Sequence, residues 1–266
     1  MALVENDLEP RIRSPLLSTA RPHVSIVMPT WNGGDQLDAT LEHLREFRVG
    51  LDYTTELIIV DDCSDRLSAQ IVQSFARNNE GTVVFTNDRN RGKGYAVTRG
   101  MLNATGAFRI FVDSDLAYPS VEITKMLRRL ESGNDVVIAC RVLPESRYIM
   151  SPTFIHYLYT RHLMSRVFNK LAQWVLLPGI LDTQAGLKGF TARAAETIFS
   201  RQTLCGFGFD LESLYIARLH QLKIEQVPVD FYYNDEPSTI SFAKHGAEML
   251  MDLMRVRRNG ARGIYA

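Results

Sequence analysis

Five short apolar runs alternate with helical patterns along the first half of this chain, and no other feature constrains the fold as much. Residues 24–28 (VSIVM), 56–60 (ELIIV), 82–86 (TVVFT), 108–112 (FRIFV) and 135–140 (DVVIAC) are short and rich in β-branched side chains, as buried strands are. Pro29 is expected to stop the first of them. Leu37, Leu41, Leu44 and Phe47 recur every three or four residues and predict a helix over 34–48; further helices are expected over 68–77, 94–104 and 123–131. Apolar strands alternating with amphipathic helices fit an α/β layer structure with a mostly parallel sheet, because strands buried on both faces are apolar throughout. Polar residues cluster directly after the strands, at the sheet edge where such folds bind ligands.

The second half changes character. Residues 148–177 are aromatic, leucine-rich and basic, and a glycine-containing loop follows. Helices are expected over 192–199, 210–222 and 241–258, with one strand over 224–232. With 266 residues, 45% of them hydrophobic, the chain can bury one substantial core with a lobe attached. Thirty basic and thirty acidic side chains cancel, so no overall field marks nucleic acid as a partner. Three widely spaced cysteines, Cys63, Cys140 and Cys205, fit neither a disulfide framework nor a zinc site and suggest a reducing compartment. Residues 1–22 contain no apolar run and read as a tail lying on the fold. The longest uncharged apolar stretch, 171–181, contains Gln173, Pro178 and Gly179, far short of the roughly 20 residues a membrane span needs.

Asp113-Ser114-Asp115 stands directly after FRIFV. Two carboxylates one residue apart on a turn can converge on a hard divalent cation, which in turn can bridge phosphates. Asp-x-Asp alone is common in solvated turns; its place at a strand end is what makes it notable. Asp61-Asp62 ends the second run, where a carboxylate can accept a hydrogen bond from a nucleobase while Ser64 or Asp65 caps the next helix. Asn90-Arg91-Gly92-Lys93-Gly94 opens the third helix; its glycines and cations suit phosphate, although it has neither a P-loop nor a dinucleotide-binding frame.

These segments occur in a telling order: VSIVMPTWNGG, ELIIVDDCSD, NRGKGYAVTRGM, FVDSDLAYP, DTQAGLKGFTARAA and FGFDLE. The set resembles inverting family 2 glycosyltransferases of the GT-A, Rossmann-like fold, and most of all the polyprenyl-phosphate (dolichyl-phosphate) β-glucosyltransferases, relatives of dolichyl-phosphate mannose synthase. The resemblance covers about 24–239. It implies that Pro29, Thr30 and Asn32 form the nucleotide-contacting turn, with Asp61 and Asp62 beside it and Asp62 reading the base. It implies further that Lys93 serves the phosphates, and that Asp113, Ser114 and Asp115 hold nucleotide sugar, with Asp113 and Asp115 on Mg²⁺ or Mn²⁺. The sequence departs from the family at Gly33 and Gly34, where an acidic residue is common. It departs again at Ser114 in place of alanine, at Ala117 in place of a metal-binding glutamine, and at residues 236–239 in place of Gly-Ser-Lys.

On this reading the chain divides into a tail (1–22), a nucleotide-sugar-binding half (23–144), an acceptor-binding half (145–240) and a basic amphipathic helix (241–266). Asp182, Asp210 and Arg141 are the candidate catalytic residues, and Arg141, Gln184 and Glu212 the candidate acceptor contacts. A hydroxyl acceptor needs a carboxylate base, whereas a phosphate acceptor is already anionic, so Asp182, Asp210 and Glu212 are open between base and scaffold. His245 is a surface histidine or a group closing over the metal. The expected reaction is metal-dependent direct displacement from a UDP-sugar, UDP-glucose favoured, to a polyprenyl phosphate. The expected place is the cytoplasm, with peripheral contact at the inner face of a membrane through the basic amphipathic segments. The alternatives are transfer to a soluble or protein-linked hydroxyl with Asp182 or Asp210 as base, a nucleotidyltransferase, and an inactive nucleotide-binding module.

Overall fold

The computed structural model describes residues 12–13, 21–34, 36–115, 117–149, 166–232 and 242–266. The expected strands and helices form where the patterns put them. They are β2 (Val24–Thr30), α1 (Gln36–Val49), β3 (Thr55–Asp61), α2 (Arg66–Asn78), β4 (Thr82–Thr86), α3 (Lys93–Asn103), β5 (Phe108–Val112), α4 (Ser120–Glu131) and β6 (Val136–Cys140). Ahead of them a two-residue strand, β1 (Ile12–Arg13), pairs antiparallel with β4, so part of the tail does lie on the fold. Next come β7 (Arg147–Ile149), helical residues 166–175 (α5), β8 (Leu187–Thr191), α6 (Ala192–Phe199), α7 (Phe209–Leu219), β9 (Ile224–Pro228), β10 (Asp230–Tyr232) and α8 (Phe242–Ala261).

The main sheet runs β1-β4-β3-β2-β5-β8-β6-β9. From β2 the chain steps outward through β3 to β4, then returns across β2 to β5. The reversal between β2 and β5 is a topological switch point, where loops at the carboxyl ends of the strands part and leave a crevice. Side chains alternate across the sheet. Ile26, Met28, Leu57 and Ile59 pack with α1, α2 and α4 on one face. Val27, Ile58 and Val60 pack with α3, α5, α6, α7 and α8 on the other. Both faces of the strands are covered, which is why the runs are apolar throughout.

Three departures from the sequence reading matter. Pro29 does not stop β2: it pairs with Val60, while pairing to β5 ends at Val27, so the proline lies where β2 has one neighbour and a missing N–H is tolerated. The single strand expected over 224–232 is two, since β9 pairs with β6 and β10 leaves the main sheet to pair with β7. The loop expected after residue 177 contains β8, which inserts antiparallel between β5 and β6. The boundary drawn at 144 therefore does not divide the sheet, to which both halves contribute strands.

Candidate active site

β2, β3, β4, β5 and β6 all end at one edge, and β8, running the other way, begins there. That edge gathers Thr30, Asp61, Asp113 and Arg141 from strand ends and Asp182 from the segment entering β8. On β2, Thr30 is buried and its Oγ1 has no hydrogen-bond partner among the described residues. Asn32 takes a positive φ of 51° and locks the turn to the β3–α2 loop: its N–H donates to Ser64 Oγ at 2.9 Å, and Asp65 N–H donates to its Oδ1 at 2.7 Å.

The two tandem aspartates do different work. Asp61 accepts from Ser64 N–H at 3.0 Å, and burial raises its pKa. Asp62 faces the glycine-rich loop, accepting from Asn87 Nδ2 at 2.6 Å, Arg91 N–H at 2.9 Å and Gly92 N–H at 2.8 Å. Its carboxylate thus fixes the loop that opens α3, with two donors on Oδ1 and one on Oδ2. The glycines of that loop have a packing reason as well. A Cβ on Gly92 would lie 2.6 Å from the Cys205 carbonyl oxygen, and one on Gly94 would lie 2.6 Å from Phe209 Cβ.

Lys93, the first residue of α3, reaches Asp113: Nζ lies 2.7 Å from Oδ1. Burial works against its charge, but Asp113, Asp210 and Asp115 together hold its pKa above the usual lysine value. Asp113 N–H donates to the Gly186 carbonyl at 3.1 Å, and Thr40 Oγ1 donates to the Ser114 carbonyl at 2.9 Å. Asp115 is exposed, and its Oδ1 accepts from Ala117 N–H at 3.1 Å. Among the described residues no group of three His, Cys, Asp or Glu side chains could hold a metal. Two carboxylates on one turn suit a hard cation that completes its shell from phosphate and water, so Asp113 and Asp115 fit such an ion.

At the end of β6, Arg141 forms a bidentate pair with Asp182. Arg141 Nε donates to Asp182 Oδ2 at 2.7 Å and Nη2 to Oδ1 at 2.9 Å, and the Arg141 backbone N–H adds a bond to Oδ2 at 3.0 Å. Burial opposes the charge on each, but the partner prevails and holds the Asp182 pKa down and the Arg141 pKa well up. Asp210, on the first turn of α7, accepts from Lys188 Nζ at 2.6 Å. Burial raises its pKa although Lys188 and Lys93 both pull it down.

Residues 25–199 match the family described as Glycosyl transferase family 2.

The chain belongs to that family.

Dolichyl-phosphate beta-glucosyltransferase of Dictyostelium discoideum is 28% identical over 253 residues, covering 91% of this chain and 76% of its own length. The Homo sapiens enzyme of the same name is 31% identical, covering 78% and 67% respectively. Among solved structures, glucosyl-3-phosphoglycerate synthase of Mycobacterium tuberculosis superposes with a TM-score of 0.64 at 18% identity, covering 88% of this chain and 80% of its own. That likeness shows the GT-A fold.

Two further expectations for this glycosyltransferase are corrected by its geometry. Asp182 is not available as a base, because both its oxygens are taken by Arg141 and by Gln184 N–H at 3.3 Å. Glu212 is not an acceptor contact. It is fully buried, accepting from Thr203 N–H at 2.9 Å, Leu204 N–H at 2.8 Å and Tyr265 Oη at 2.6 Å, and so holds α7 to the loop before it and to the segment that follows α8. Gln184 Nε2 donates to Met249 Sδ at 3.5 Å on α8. The side chain of His245 and residues 236–239 lie outside the described residues. The sequence reading missed Lys188, which is 1% exposed and paired with Asp210. A lysine flanked by Leu187, Gly189 and Phe190 was the signal.

Proposed function

We propose that this glycosyltransferase moves glucose from UDP-glucose to a polyprenyl phosphate with inversion at the anomeric carbon. The observation that carries the acceptor half is the Arg141–Asp182 pair: of the two expected bases, Asp182 is held by a guanidinium and Asp210 by Lys188, and what the site offers instead is a cation. An acceptor phosphate is already anionic and needs positioning rather than deprotonation. Arg141 spends its backbone N–H, Nε and Nη2 on Asp182, and Nη1 has no hydrogen bond among the described residues. It is the group we assign to phosphate. The names of the two dolichyl-phosphate relatives support the same acceptor and the same sugar.

For the donor half, the locked turn of Asn32, the buried Thr30 and the loop carrying Lys93 stand at the same sheet edge as the acidic turn. Mg²⁺ or Mn²⁺ on Asp113 and Asp115 would supply Lewis-acid stabilisation of the departing diphosphate. A similar structure that holds Mn²⁺ with UDP-glucose supports this choice of cation and donor. Lys93 holds the Asp113 carboxylate in place and adds positive charge beside the leaving group. The acceptor phosphate oxygen attacks the anomeric carbon opposite the diphosphate; that C–O bond forms as the bond to UDP breaks, and UDP leaves.

Reaching a lipid phosphate calls for a surface that lies on a bilayer, since no helix among the described residues is long and apolar enough to cross one. α8 buries Leu253 and Val256 while Leu250, Met251 and Met254 stay exposed beside Arg255 and Arg258, and Trp174 on α5 is 85% exposed. Such faces suit peripheral contact with an anionic membrane. The test is incubation of the protein with UDP-glucose, Mn²⁺ and a polyprenyl phosphate in detergent. The expected outcome is a β-linked glucosyl lipid and equimolar UDP, both lost with EDTA. Glucose transfer confined to lipid-free hydroxyl acceptors, or pyrophosphate release from UTP, would overturn the reading.

A further inference from the structure

Tyr118 follows the acidic turn by three residues and is only 6% exposed, yet its hydroxyl has no hydrogen-bond partner among the described residues. Buried hydroxyls are almost always bonded, so an orphan in a native site calls for an explanation. Its surroundings supply one. Arg141, Asp182, Asp113 and Asp115 all lie near enough to act on the phenol. The ring is held edge-on to Phe231, with centroids 5.1 Å apart, and the Arg141 guanidinium lies 5.5 Å from the centroid of that same Phe231 ring. Tyr232 N–H donates to the Ala117 carbonyl at 2.7 Å, so β10 fixes the backbone that presents the tyrosine. Tyr118 thus follows the acidic turn closely and packs on the ring that also meets Arg141, with its hydroxyl unbonded among the described residues.

We propose that the Tyr118 hydroxyl is a substrate-binding group that donates its hydrogen bond to a phosphate oxygen held between the acidic turn and Arg141. The proposal rests on the reading of this site as one for glucosyl transfer between a diphosphate donor and a phosphate acceptor. Burial keeps the phenol protonated, and a neutral O–H beside a guanidinium complements an anionic oxygen. Two substrates bring such an oxygen to this gap, the diphosphate of the donor and the monoester of the acceptor.

Tyr118→Phe tests this, because it keeps the ring and its contact with Phe231 and removes only the oxygen. Three quantities are read on wild type and variant: the melting temperature, the calorimetric Kd for UDP-glucose with Mn²⁺, and kcat and KM for UDP-glucose and for polyprenyl phosphate. The melting temperature is expected to stay the same or rise, since the hydroxyl makes no bond among the described residues. A loss of tenfold or more in UDP-glucose affinity assigns the bond to the donor diphosphate. An equal loss in kcat/KM for polyprenyl phosphate, with the UDP-glucose Kd unchanged, assigns it to the acceptor. A variant within twofold of wild type in both affinity and turnover overturns the proposal. Failure of the wild type to glucosylate any polyprenyl phosphate would sink the functional reading instead, and the calorimetric comparison would then decide Tyr118 by itself.

Discussion

The carboxylate of Asp113 fills the space that a side chain on Gly186 would need. A Cβ at that position would overlap Asp113 Oδ2, so the glycine of DTQAG and the first aspartate of the acidic turn are placed as one unit. Gly186→Ala is therefore expected to push Asp113 away from Lys93. Misplacement on the scale of an ångström can cost about 100-fold in kcat/KM. Steady-state kinetics should show that loss with circular dichroism unchanged; an alanine variant with near-normal turnover would show that Asp113 need not sit where it does.

Asp182→Asn leaves the Arg141 guanidinium with half a partner. Breaking a buried pair from one side costs about 3 kcal/mol or more, so denaturant melts should show a large loss of stability at pH 7. The pH dependence follows from the direction of the shift. The Asp182 pKa is lowered in the folded chain, so its contribution is fully present above the unfolded carboxylate pKa and is lost as pH falls through the folded one. The gap between wild type and variant should narrow in strong acid. A gap that widened there would contradict the pairing.

Asp62→Asn replaces an acceptor of three donors by a group that is itself half donor. The Asn90–Gly94 loop should loosen and KM for UDP-glucose rise roughly tenfold, the factor that about 1.4 kcal/mol of lost hydrogen bonding produces. If Asp62 instead read the base directly, the variant would change preference among nucleotide donors, which competition with other nucleoside diphosphate glucoses would reveal.

Tyr265→Phe removes one of the donors to Glu212. A scaffold role predicts a stability loss of about 1–2 kcal/mol with KM for polyprenyl phosphate unchanged. Thermal melts and kinetics on the same preparation separate this from an acceptor contact, for which KM would rise.

Much of the fold was legible because propensity and packing agree in it. β4, β5 and α6 have the expected bounds, each being a short apolar or amphipathic run with a clear stop. β8 was not legible because Lys188 and Gly189 break its pattern, and the reasons for both lie elsewhere in the chain: Asp210 neutralises the lysine, and Leu130 packs where a side chain at 189 would go. The site was legible as a set of strand-end residues but not as a division of labour. Asp62 stands out by its place after a strand, and Asp182 and Glu212 by the motifs they belong to. Their hydrogen bonds go to donors far away in the chain, such as Arg141 and Tyr265, which no local pattern announces.

Since β8 enters the sheet at the edge where its neighbours leave, the strand's alignment decides which residue faces Asp113. A slip of one position would set Ala185 or Leu187 there, each with a side chain where no room exists, and would turn the buried Lys188 toward the opposite face. Such a molecule would keep its helices, its compactness and most of its spectroscopic signature while having no working centre. Preparations that look folded yet fall short of full turnover should therefore be checked for the pairing of β8 with β5 before any chemical damage is suspected.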